Sequence, residues 1–191
     1  MTEFAAGKRS ALLVRGLLAV ALLVLVSWQV LARTYELEGG SFGGGGTDSR
    51  PFQQPHRSGI LYRFEVGRTY DLYFSVRNPG PVPVRVEEVG DNGQLLVDRL
   101  AILPGTPAGC CDQAGAAPFQ PVDLAPGQEL LILATLRLHQ FSDSQADWPC
   151  SSRRWWWTMP VRFSVLGTAR SSEVLLPETF FIEAPGCHAS T

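Results

Sequence analysis

The sequence predicts an all-β fold, an antiparallel β-sandwich of seven or eight short strands behind one N-terminal hydrophobic helix. Three observations lead there. From Gly59 onward, apolar and polar residues alternate with a period of two in run after run. Nineteen Gly and fourteen Pro supply turn residues between those runs. No stretch beyond residue 33 sustains a helical period. Without the N-terminal segment about 130 residues remain, one domain's worth and enough to bury a core.

The helix comes first. Lys8-Arg9 and Arg15 precede the apolar run Leu17 to Val26, which continues through Ser27-Trp28-Gln29-Val30-Leu31-Ala32. A basic flank ahead of hydrocarbon directs a chain to a membrane and keeps the flank cytoplasmic. Residues 1–15 therefore read as a cytoplasmic flank, 16–32 as a single-pass anchor, and the rest as extracytoplasmic. The seventeen residues of 16–32 are the short end of a helical span. The ten-residue core Leu17–Val26 also suits a signal peptide, so a cleaved, secreted form is the alternative.

Residues 33–58 read as a flexible linker, because Gly39-Gly40-Ser41-Phe42-Gly43-Gly44-Gly45-Gly46 is spacer composition. The domain is then 59–191. Ile60–Val66 and Thr69–Arg77 are its first two strands, the latter with Tyr70, Leu72, Phe74 and Val76 on one face. Val82, Val84 and Val86 alternate next, and Pro83 among them argues for a sheet edge. Asp91-Asn92-Gly93 reads as a hairpin turn returning through Leu95–Ile102. Phe119–Val122 is a short strand and Glu129–His139 a central one, since Leu131 and Leu133 add apolar residues to its second face. Trp155–Leu166 and Ser172–Glu183 form a final hairpin across Gly167–Arg170.

Two turn motifs carry a family resemblance. Phe74-Ser75-Val76-Arg77-Asn78-Pro79-Gly80-Pro81-Val82-Pro83-Val84, followed by Leu124-Ala125-Pro126-Gly127-Gln128, resembles bacterial immunoglobulin-like modules over residues 69–140. The whole chain is similar to bacterial envelope proteins that carry one N-terminal anchor and such a domain. The resemblance implies an immunoglobulin-like sandwich and an envelope location, and it brings no catalytic residues.

The four cysteines, Cys110, Cys111, Cys150 and Cys187, all follow the leader, in a compartment where disulfides persist. In the final hairpin, paired positions are expected to sum to about 337, as do Cys150 and Cys187, which predicts a bridge between them. Cys110 and Cys111 are left for a vicinal bridge, for a different pairing, or with a His for soft-metal ligation. Cys-Cys lacks the spacer of zinc knuckles, which favours disulfide chemistry.

Arg153-Arg154-Trp155-Trp156-Trp157 is the candidate binding surface. Trp155 and Trp157 share parity with Met159, Val161, Phe163 and Val165, a core pattern, so alternation sends Trp156 outward. An outward Trp offers a stacking platform for a sugar ring or an anchor at the bilayer surface, against the plainer reading of core packing with Arg–Trp contact. His56, His139 and His188 are scattered without ligand spacing. Ser142–Asp147 has oxygen ligands but lacks the Glu and Gly of a calcium loop, so it reads as solvated. No metal site or cofactor is assigned.

No nucleophile elbow, His-Glu-x-x-His or Gly-rich dinucleotide turn is present. Glu87 and Glu88 alternate to opposite faces and cannot serve one bond. Sixteen basic and eighteen acidic residues leave a net charge of −2, with no basic stripe for nucleic acid. The expected function is therefore non-enzymatic: a membrane-tethered interaction or structural module with an envelope protein as partner. A glycan-binding module and a metal-handling protein are the alternatives.

Overall fold

The computed structural model describes residues 3–54, 57–65, 67–103, 115–138 and 153–184. One long helix, α1 (Glu3–Thr34), opens the chain, and the stretch Val14–Thr34 within it is long and apolar enough to cross a membrane. Its residues from Val14 to Val30 are all exposed. Eleven strands follow: β1 (Glu38–Gly45), β2 (Arg50–Gln54), β3 (Arg57–Arg63), β4 (Thr69–Arg77), β5 (Val84–Val89) and β6 (Leu95–Ile102), then β7 (Ala117–Pro118), β8 (Val122–Leu124), β9 (Glu129–Leu138), β10 (Arg153–Val165) and β11 (Thr168–Glu183).

They form two sheets, of order β1-β4-β9-β6-β7 and β2-β3-β11-β10-β5-β8. The all-β sandwich expectation holds, with more than the seven or eight strands counted from the pattern. The pairing is antiparallel except for β3 and β11, which run parallel. Tyr70, Phe74, Ile132 and Leu136 from the first sheet meet Met159, Phe163, Val174 and Phe180 from the second in the main core. Leu133 and Tyr73 point to the other face of the first sheet, where they bury with Phe42, Ala101 and Leu103. That is why β9 is apolar on both sides.

The Gly-rich segment is a strand rather than a spacer. β1 pairs with β4 from Glu38↔Arg77 to Gly45↔Leu72. Glycine is needed there for closeness: a Cβ on Gly39 would run into the carbonyl oxygen of Leu175 in β11, in the opposite sheet. The ladder is interrupted between Gly39 and Gly43, and side chains fill the gap. The Phe42 N–H donates to Ser75 Oγ (3.0 Å), and the Ser41 N–H donates to Glu129 Oε1 (2.7 Å). Burial raises the pKa of Glu129, but the Ser75 and Ser41 bonds and the charge of Arg77 outweigh it, and the carboxyl ends below its ordinary range.

Three other local readings are corrected. Asp91–Gln94 does not close a hairpin, because β5 and β6 belong to different sheets. The turn is instead an Asx-type crossover: Asn92 Oδ1 accepts from Leu95 N (2.9 Å) and Asp91 Oδ1 from Val97 N (2.7 Å). Pro83 lies just before β5, which is paired on both sides. The last hairpin turns through Leu166 and Gly167, with φ of 52° and 76°, the two left-handed residues of a type I′ turn.

Candidate functional site

Two places gather the chemistry, one at each end of the sandwich. The first is the end where α1 arrives. Leu31 packs against the core and Ala32, Tyr35 and Leu37 are buried. The Tyr35 ring lies 6.5 Å from Phe163, and its hydroxyl lies 2.6 Å from Asn78 Oδ1 and 3.0 Å from the Val82 oxygen. One proton serves one acceptor at a time, and Oδ1 is the closer. Burial pushes the Tyr35 phenol pKa up, against hydrogen bonds that pull it down.

Asn78 is the hub of this end. Fully buried, its amide donates to the carbonyls of Val82 (2.9 Å) and Leu124 (3.0 Å), while Oδ1 also accepts from Gly80 N (3.2 Å). Its backbone is bonded to both Gln128 and Gly127. The two turn motifs read separately in the sequence are thus one structure, tied by a single side chain to the residue that leaves the helix.

The second place is an open cleft of about 600 Å³ in the half of the sandwich away from α1. The Asp91–Gln94 turn forms one wall, Trp155, Trp157 and Thr158 the other, and Pro160 and Glu173 complete it. Its volume falls in the ordinary range for small ligands. Asp91 Oδ1 and Asn92 Oδ1 are spent on the turn. The Gln94 amide, the Thr158 hydroxyl and the Glu173 carboxylate supply polar groups beside the two indoles.

The parity of the tryptophans is the reverse of the expectation. Trp156 is buried (8%) against Phe180, at 5.6 Å between ring centroids, while Trp155 and Trp157 are 49% and 45% exposed. The cause is a register shift. From Val165↔Thr168 to Thr158↔Leu175 the strands alternate in step, but Trp156 pairs with Phe180, so β11 carries extra residues around Pro177. β11 keeps Val174, Leu176, Phe180 and Ile182 inward in one phase, whereas β10 slips phase across Trp157–Thr158, from Met159 inward to Trp156 inward, and that slip reverses the tryptophans. Met159, Val161, Phe163 and Val165 face the core as expected.

Arg153 is engaged in structure: it bridges Glu183 at 2.8 Å and its guanidinium lies 4.6 Å from the Phe52 ring centre. Arg154 is half-buried opposite Ile182. Glu88 pairs with Arg162 at 2.7 Å. Cys110, Cys111, Cys150 and Cys187 lie outside the described residues, as do His56, His139, His188 and Ser142–Asp147. The paired positions of the hairpin sum to 333 from Val165↔Thr168 to Thr158↔Leu175, not to the expected 337, and to 336 only beyond the shift, at Arg153↔Glu183. Among the described residues no group of three His, Cys, Asp or Glu converges on a metal-sized site.

No protein-family model and no curated protein sequence matches the chain.

Proposed function

We propose that this protein is a non-enzymatic binding module held at the outer face of a membrane by α1, with the cleft beside Trp155 and Trp157 as its binding surface. The observation that carries the reading is the placement of the two ends. The apolar helix enters the sandwich through Leu31, Ala32, Tyr35 and Leu37, and the open aromatic cleft lies toward the opposite end. Along β10, Trp155 to Pro160 lie roughly 15–35 Å from the turn at the anchor end. An indole-lined cleft at that height suits contact with a neighbouring envelope component. The basic flank of residues 8–15 favours a cytoplasmic N-terminus, and the turn motifs joined at Asn78 favour the immunoglobulin-like reading.

Alkaline extraction of cells expressing the full chain is expected to leave it in the membrane pellet, and protease added to intact spheroplasts to degrade the sandwich. Recovery of an intact sandwich from the cytoplasmic fraction would overturn the proposal.

A second reading is favoured by one observation, two half-exposed indoles sharing a cleft with amide, hydroxyl and carboxylate groups. Flat aromatic faces beside hydrogen-bonding side chains match the two surfaces of a sugar ring. In this reading the ligand is a cell-wall glycan. Titration of purified wall polysaccharide against the full chain, with Trp155→Ala and Trp157→Ala, separates the readings: undiminished retention in both variants removes the glycan.

A further inference from the structure

We infer that the anchor end of the sandwich sits in the headgroup layer of the bilayer, with its loops touching lipid. The inference rests on the reading of α1 as a membrane span.

The length of the helix points there. The candidate span is Val14–Thr34, but from Leu31 onward the chain packs into the sandwich. Between Arg15, the last charge of the basic flank, and that junction, Gly16 to Val30 reach only about 23 Å at 1.5 Å per residue. The hydrocarbon layer is about 30 Å thick. The deficit of about 7 Å draws the domain toward the lipid rather than holding it above. Trp28, one turn before the junction and exposed, is a residue type that favours the interface.

The chemistry of the end agrees. Three turns lie at this end of the sandwich: Pro79-Gly80-Pro81-Val82-Pro83, Ala125-Pro126-Gly127-Gln128 and Leu166-Gly167. None contains a charged residue. The turns of the opposite end carry Glu65, Arg68 and Asp91, while at the anchor end the exposed charges Arg77, Asp123 and Glu129 stand at the strand ends beside the loops. Leaving water costs a loop chiefly through its unpaired backbone groups. In the first two turns nearly all the donors have been removed or satisfied. Pro79, Pro81, Pro83 and Pro126 have no N–H. Gly80 donates to Asn78 Oδ1, Ala125 to Gln128 Oε1, Gly127 to the Asn78 oxygen and Gln128 to the Ala125 oxygen. A loop with few free donors and no charge is suited to partial desolvation. Arg33 and Glu36, exposed beside the exit, fall at the level of the polar headgroups.

The test uses the full chain in phosphatidylcholine vesicles, with the photocrosslinker p-benzoylphenylalanine placed singly at Val24, Pro81, Pro126 or Asp91. Pro81 and Pro126 are both exposed, so the fold has two independent chances to accept the probe. Lipid adducts at Val24, Pro81 and Pro126, with none at Asp91, are the expected result. Adducts at Val24 alone would overturn the inference and leave the anchor reading intact. No adduct at any position would overturn both.

Discussion

Replacing Asn78 with Ala tests the joint between helix and domain most severely. Four hydrogen bonds disappear: two donated to Val82 and Leu124, and two accepted from Tyr35 and Gly80. Each is worth about 1 kcal/mol net, and orphaned partners in a buried site add to the cost, so a loss of about 3–5 kcal/mol is expected. Against a typical total of about 5–15 kcal/mol this is a large fraction. Tyr35→Phe removes one of the four and should cost about 1 kcal/mol. The assay is urea unfolding of the detergent-solubilised full chain, followed by tryptophan fluorescence. The double variant supplies a second check. Once Asn78 is Ala, the Tyr35 hydroxyl keeps the Val82 oxygen at 3.0 Å as an acceptor, so Tyr35→Phe should still cost part of its native value, a non-additivity of at most about 1 kcal/mol. An Asn78→Ala loss below about 1 kcal/mol would refute the hub.

Further expectations follow from other residues. Because the Glu129 pKa is lowered in the fold, its contribution is present above the unfolded value of 4.5 and is lost as pH falls through the lower folded value. Acid should therefore loosen β1 first, and Glu129→Gln should flatten that dependence in hydrogen exchange between pH 5 and pH 3. Trp156→Ala removes a buried ring packed on Phe180 and should cost about 3–5 kcal/mol, whereas Trp155→Ala and Trp157→Ala should each change stability by about 1 kcal/mol or less. Thermal unfolding of the three variants ranks them; a costlier Trp155 than Trp156 would contradict the register. For the cysteines, peptide mapping without reduction is expected to recover Cys150 linked to Cys187, and a Cys110–Cys187 peptide would exclude that pairing.

Much of the architecture was legible because period-two alternation is a local property. β4, β9 and the inner half of β10 place Tyr70, Ile132 and Phe163 where the pattern put them. What escaped was set by neighbours distant in sequence. The segment 39–46 shows no side-chain period because it has almost no side chains, and its Gly39 answers to a Leu175 carbonyl in another sheet. Asn92-Gly93 serves a hairpin and a crossover turn equally well, so the dipeptide does not reveal that β5 and β6 part company. The inverted tryptophans did leave a signal. Pro177 stands inside what reads as a continuous strand, and a proline there marks a bulge. That bulge marks where the pairing with β10 is interrupted, and the slip of β10 between Trp156 and Met159 turns Trp156 inward and brings Trp155 and Trp157 to the cleft. The candidate site was therefore half visible: its indoles were singled out, but Glu173 and the Asp91–Gln94 wall required the fold.

The central claim is that the glycine-rich stretch after the helix is built into the sandwich and joins it directly to α1. Amide hydrogen exchange of the full chain in lipid nanodiscs, resolved over residues 36–46, measures this most directly. Protection of Ser41, Phe42 and their neighbours comparable with that of β4 is the predicted result. Exchange at the rate of an unstructured peptide, while β4 and β9 stay protected, would contradict it.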